Sequence, residues 1–359
     1  MGGEEQKYIQ KAFDTNWIAP LGSNITEFEK GIEAYIGQNT HVAALSSGTA
    51  AIHLALVLLG VQRGDEVLCQ SFTFSATANP IIYVGATPIF IDSEAETWNI
   101  CPNLLEEAIK ERMLKGKKPK AIIAVHLYGM PYNVKKIKAI GKKYEIPIIE
   151  DAASALGSEV NGQQCGTFGD YGILSFNGNK IITTSGGGAL ICKDKKMKEE
   201  AIFLATQARD EAPHYQHSHI GYNYRMSNVL AGIGRGQLEV LQERVKARRK
   251  NFSLYKETLT HTHFQFLEEP EGYTSNRWLT CVLTESYSIR EKIRVSLLHQ
   301  NIESRPLWKP MHLQPVFENY LSYENGTSEE LFEKGLCLPS GSNITEKELS
   351  RIVGVLKDF

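Results

Sequence analysis

The stretch SFNGNKIITTSGGGAL, residues 175–190, sets a lysine among unusually dense backbone punctuation. Lys180 follows a polar turn and precedes a β-branched run, which ends in three glycines, Gly186, Gly187 and Gly188. The apolar runs on either side, YGILSF (171–176) and GALICK (188–193), read as strands. A lysine between two such strands is either a solvated turn residue or an amine whose pKa has been lowered for nucleophilic work.

Outward from this pair, more strand-like runs alternate with helical patterns from about residue 40 to 240. They are HVAAL (41–45), DEVLCQ (65–70), TPIFID (87–92), AIIAVHL (121–127) and IPIIED (146–151). The alternation predicts an α/β layered fold with a mostly parallel central sheet. After SSGT, Ile52, Ala55, Leu56 and Leu59 recur with helical spacing. Residues 238–259 read as one long charged amphipathic helix leading out of a large domain (1–240, with an N-terminal helical segment). A smaller C-terminal α+β domain (241–359) is expected from NRWLTCVLT (276–284) and ESRPLWKPMH (303–312). The hexapeptide GSNITE occurs at 22–27 and 341–346, and each copy supplies a T-x-x-E pattern, Thr26/Glu29 and Thr345/Glu348. Two capping boxes at helix starts are predicted.

Composition narrows the class. The 359 residues are 42% hydrophobic with a net charge of −2, so no charge excess points to nucleic acid or an anionic membrane. The longest apolar stretch, residues 50–61, is too short for a bilayer span, and no signal-peptide pattern opens the chain. Six cysteines without a CxxC pair read as reduced thiols, and the expected location is the cytoplasm.

Three constellations carry chemistry. SSGTAAIHLAL (46–56) places small residues before a helix, either as an ordinary cap or as a set of backbone amides for a phosphate. IPIIEDAASALGS (146–158) runs a strand into Glu150 and Asp151, where an acid serves as a helix cap or as a ligand contact beyond a strand end. Lys180 is the third. A phosphate cradle, a carboxylate and a lysine are the parts that pyridoxal phosphate requires. Phe72 and Phe74, in SFTFSATANP (71–80), offer a ring to stack on a pyridine, and alternation lets only one of them face the site.

Through these segments, with GATPIFID, GTFGDYGILSFNGNK, GYNYRMSN and ESRPLWKPMH, the chain resembles the DegT/DnrJ/StrS family of sugar aminotransferases. The resemblance implies the fold type I, aspartate aminotransferase-like architecture, pyridoxal 5′-phosphate as cofactor and a homodimer with shared active sites. SFNGNKIITTSGGG and RPLWKPMH are similar to the subgroup that aminates UDP-4-keto-6-deoxy-N-acetylglucosamine on the way to bacillosamine, with L-glutamate as donor.

By the same resemblance, Lys180 holds the cofactor aldehyde as a Schiff base and carries the proton, and Asp151 pairs with the pyridinium. Phe74 stacks on the ring, while Gly48, Thr49 and Ser175 hold the phosphate. Asn223 reaches the phosphate from the neighbouring subunit. Tyr215, Arg225, Lys309 and His312 match segments lining the sugar-nucleotide pocket. Ser154 departs from the family, whose members carry Glu, Gln or His there near the cofactor. A short hydroxyl cannot reach as far, so the longer side chain's role goes unfilled, passes to a bridging water or falls to another residue. MGGEEQKYIQ resembles the interior of the family's N-terminus, which a short segment normally precedes.

Other readings stay beside this one. The acceptor can be another 3- or 4-keto sugar on GDP or dTDP, or the chain can be a cofactor-binding sensor or scaffold. No metal is expected at HYQHSH (214–219), which reads as a substrate loop, and RVKARRK (244–250) reads as a solvated helix face. Trp17 reads as core packing or as the lip of the sugar pocket.

Overall fold

The computed structural model describes every residue except Gln38 and His261. The seven apolar runs become strands β1 (His41–Leu45), β2 (Glu66–Gln70), β3 (Thr87–Ile91), β4 (Ala121–Val125), β5 (Ile148–Asp151), β6 (Tyr171–Ser175) and β7 (Gly188–Cys192). An eighth strand, β8 (Ser322–Tyr323), joins them in one sheet of order β1-β7-β6-β5-β4-β2-β3-β8. Only β7 runs antiparallel, against both β1 and β6. The remaining pairings are parallel.

Both faces of this sheet are covered, as parallel sheets require. Successive residues therefore alternate between two cores. Val42, Leu68, Ile122, Ile148 and Leu174 enter one, and Ala43, Val67, Ile123, Ile149 and Ile173 enter the other. Parallel pairing also gathers the carboxyl ends of β2, β4, β5 and β6 at one edge. Strand β1 ends there too, and β7 begins there.

Beyond residue 240 a four-stranded antiparallel sheet is built from Gln265–Phe266, Thr280–Leu283, Gly335–Leu338 and Arg305–Pro306. Helices Tyr287–His299 and Glu346–Leu356 close its core through Ile293, Leu297, Leu349 and Ile352. The chain leaves this unit at Tyr273–Thr274, which pairs with Glu159–Val160, and again at β8, which lies beside β3. Among the described residues, no helix is long and apolar enough to cross a membrane.

Two local expectations need correction. The single helix expected over 238–259 is two, Asn228–Glu239 and Leu241–Thr258, separated at Val240, whose backbone leaves helical geometry. The break lets the second helix send Leu241 and Val245 into the large core and Tyr255 into the small one. The capping box at Thr345/Glu348 forms, but the one at Thr26/Glu29 does not. That helix starts at Ser23, and its free amides are satisfied from outside, because Asn228 Oδ1 accepts from the N–H groups of Asn24 (2.9 Å) and Ile25 (3.4 Å). Glu29, released from capping, accepts from the Ala44 N–H at 2.7 Å and pairs with Arg225.

Candidate active site

The strand ends at the carboxyl edge open into a cavity of about 1140 Å³. Its walls carry the turns after β1, β2, β5 and β6, together with Trp278, Arg305, Pro306 and Trp308 from beyond residue 240.

Lys180 sits on the turn after β6. The turn is pinned by the Phe176 N–H donating to the Gly187 carbonyl (2.9 Å) and the Lys180 N–H donating to Asn177 (3.0 Å). Nζ donates to Ser154 Oγ at 2.9 Å and lies 3.9 Å from the centre of the Trp278 ring. Burial disfavours the ammonium and lowers the lysine pKa to about 8; the Asp151 carboxylate opposes the shift. An amine tuned in this way is neutral in about a tenth of molecules at pH 7, far more than an exposed lysine, and neutrality is the condition for attack on a carbonyl.

Asp151 ends β5 and is buried. Thr77 Oγ1 donates to Oδ2 at 2.7 Å, the Ala153 N–H donates to Oδ1 at 3.1 Å, and Thr73 extends the chain by a 2.8 Å contact to Thr77. Strand alternation separates Asp151 from its neighbour. Glu150 points through the opposite face, where it accepts from the N–H groups of Gly166, Phe168 and Gly169 and meets His126 at 2.5 Å. Glu150 is thus a structural acid, fully spoken for, while Asp151 faces the cavity.

At the other end, Ser47 caps the helix Gly48–Leu58 by accepting from the Ala50 N–H at 3.0 Å. The first-turn N–H groups of Gly48 and Thr49 have no carbonyl behind them to bond, so they present positive ends to the cavity. Ser175, at the end of β6, stands beside them. A Cβ on Gly48 would meet Ser175 Cβ at 3.2 Å. Gly188 has a sharper role: a Cβ there would lie 2.4 Å from the Gly48 nitrogen and from the Ser47 carbonyl carbon. The glycine run ends where β7 slides past the amide cradle.

The donor set fits pyridoxal phosphate: amides and a hydroxyl for a phosphate at one end, a carboxylate for a ring nitrogen, an amine for an aldehyde. Phe74 lines the cavity with its ring 5.6 Å from Trp308, whereas Phe72 is wholly in the core.

The cavity brings together Lys180, Asp151, Ser154, Gly48, Thr49, Ser175 and Phe74. Five residues singled out from the sequence are not among those lining it. Asn223 is exposed, in an isolated bridge with Thr206. Tyr215 is exposed against the Arg209 guanidinium, 4.3 Å away. Arg225 is held by Glu29 and by the Ala44 carbonyl, its NH1 donating to the latter at 2.9 Å. His312 is buried, with Nδ1 2.6 Å from Ser71 Oγ. Lys309 offers its carbonyl to Gln314. Trp17, too, lies outside the lining and is half exposed. The sequence reading missed Thr77, Trp278 and Ser47. Ser47 was visible as the cap residue of SSGT; the other two meet their partners only in the fold.

Comparison with known proteins agrees with this geometry. Residues 1–357 match the DegT/DnrJ/EryC1/StrS aminotransferase family. The chain belongs to that family. It is 53% identical over 361 residues to "Putative pyridoxal phosphate-dependent aminotransferase EpsN" of Bacillus subtilis, covering 99% of this chain and 93% of that one. It is 35% identical to a GDP-perosamine synthase of Escherichia coli O157:H7, covering 99% and 96%. A crystal structure of a DegT DnrJ EryC1 StrS aminotransferase from Brucella abortus superposes with a TM-score of 0.93 at 30% identity, covering 99% and 95%. The fold is that of the type I pyridoxal-phosphate transferases, and the protein is a pyridoxal-phosphate-dependent aminotransferase.

Proposed function

We propose that this aminotransferase moves the amino group of L-glutamate to C4 of a UDP-linked 4-keto-6-deoxy-N-acetylhexosamine, giving a 4-amino sugar of the bacillosamine type. The observation that carries amino transfer is the convergence of a half-buried amine, an oriented carboxylate and an amide cradle in one cavity. A second feature supports a large acceptor: Arg305, Pro306 and Trp308, from the RPLWKPMH segment, form part of the cavity wall. The choice of UDP and of C4 rests on the resemblance of that segment and of TTSGGG to the bacillosamine subgroup.

When bound, pyridoxal phosphate supplies an electron sink for charge developing on the carbon next to nitrogen. The chain supplies the rest. Gly48 and Thr49 amides and the Ser175 hydroxyl anchor the phosphate, and Asp151, fixed by Thr77 and the Ala153 N–H, holds a ring proton. Phe74 covers the ring. Nζ of Lys180 would carry a proton between the substrate carbon and the cofactor's C4′, in one direction with the donor and in the reverse direction with the acceptor. Asn223, exposed on its own chain, completes the phosphate site of a second copy, so the working unit is a homodimer.

Similarity to a GDP-perosamine synthase favours a second reading, in which the acceptor is a GDP-linked keto sugar. Incubation with 15N-glutamate and a panel of UDP-, GDP- and dTDP-linked 4-keto and 3-keto sugars separates the two by product NMR. Nitrogen at C4 of the UDP sugar is the expected result. Turnover of the GDP sugar alone, or label at C3, overturns the UDP-C4 reading.

A further inference from the structure

We propose that Ser154 and Trp278 are positioning residues that together form a seat for the free amine of Lys180, and that Asn276 fixes both walls of that seat. The proposal rests on Lys180 as the reacting amine and is independent of which sugar is aminated.

Ser154 follows β5 three residues after Asp151 and lines the cavity. Its Oγ accepts from Lys180 Nζ at 2.9 Å, and its side chain is buried. The Trp278 ring covers the amine from the other side at 3.9 Å. The indole Nε1–H donates to the Asn179 carbonyl at 2.7 Å, so the ring is tied to the turn that bears the lysine. One buried side chain joins the two walls. Asn276 Nδ2 donates to the Ser154 carbonyl at 3.0 Å, and Asn276 Oδ1 accepts from the Trp278 N–H at 2.9 Å. Space for that amide exists because residue 129 is glycine: a Cβ there would lie 2.0 Å from Asn276 Oδ1, at a φ of +93°.

The chemistry of the seat follows from its neutrality. Asp151 is the charged group acting on the amine. Arg248, which lines the same cavity, donates from NH1 to the Trp278 carbonyl. A hydroxyl accepts from an ammonium and donates to a neutral amine, so Ser154 serves Lys180 in both protonation states, with a modest preference for the charged one because that bond is charge-assisted. A carboxylate at 154 would favour the ammonium alone. The indole face likewise favours the cation, modestly. The seat therefore holds the amine in place between bonding events without locking it in the charged form.

The test is competitive labelling of Lys180 by a neutral acylating reagent across pH, in the cofactor-stripped full-length chain, read by peptide mass spectrometry. Circular dichroism checks the fold of each variant. Ser154→Ala and Trp278→Leu keep the site covered but remove an acceptor or a π face, and each is expected to lower the labelling midpoint by about half to one pH unit. Ser154→Glu is expected to raise it by about one unit or more, and Trp278→Phe to leave it near wild type. Folded variants that all share the wild-type midpoint overturn the proposal, as does Trp278→Phe shifting as far as Trp278→Leu. Failure of Lys180 as the reacting amine would appear separately, as amine transfer retained by Lys180→Ala.

Discussion

At the scale of single residues, the lysine decides the pH behaviour. Its pKa of about 8 comes from burial, so below that value most of the population carries a proton and cannot attack an aldehyde. The rate at which stripped enzyme takes up pyridoxal phosphate should therefore rise about tenfold per pH unit up to about 8 and level off above it. Stopped-flow absorbance measures this, and a rate still climbing at the same slope past pH 9 would contradict it. The same residue shows what a sequence can reveal. SFNGNK and IIEDAAS are contiguous and bring their own signal, so Lys180 and Asp151 were visible. Trp278 touches the lysine turn from 99 positions away, and Thr77 meets Asp151 across 74. No local pattern announces such pairs. Arg225 makes a pair of the same long-range kind, with Glu29, 196 positions distant.

At the scale of elements, the amide cradle depends on how closely β7 passes the helix Gly48–Leu58. Gly188→Ala would put a methyl 2.4 Å from backbone atoms that cannot rotate away, so strand and helix must part. The expected cost is about 1–3 kcal/mol of stability, with cofactor affinity falling at least tenfold as the first-turn amides shift. Thermal denaturation and equilibrium titration with pyridoxal phosphate read the two effects, and unchanged affinity would remove the cradle from phosphate binding. The strands themselves were legible because doubly covered parallel strands are written as uninterrupted apolar runs. Strand β8 was not, since two paired residues leave no period to read. The Thr26 box failed for a different reason. A T-x-x-E pattern records a capacity to cap, but this helix begins at Ser23, so Thr26 lies inside it with its N–H bonded to the Gly22 carbonyl, while Asn228 takes the earlier amides of Asn24 and Ile25.

For the whole molecule, the chain alone leaves apolar side chains in water. Phe13, Trp17, Ile18 and Leu21 are each at least half exposed within one short segment, and Tyr215 and Ile220 protrude elsewhere. Surfaces of this kind mark association, in keeping with the proposed homodimer. Subunit mixing tests whether a second copy also completes the site. Lys180→Ala and Asn223→Ala chains are each expected to be nearly inactive. Refolded together in equal amounts, they should regain about a quarter of wild-type turnover, because half the dimers are mixed and each mixed dimer has one intact site. No recovery, with mixed dimers verified by native mass spectrometry, would confine Asn223 to its own chain.

The excursion that sets β8 against β3 also bears on synthesis. Until Tyr323 clears the ribosome, the β3 edge, with Ile89, Phe90 and Ile91, has no outer neighbour. For more than two hundred residues of translation the nascent large sheet therefore carries an open, adhesive margin. A chain halted after residue 240 would release this margin uncovered, which makes aggregation during expression the natural fate of C-terminal truncations.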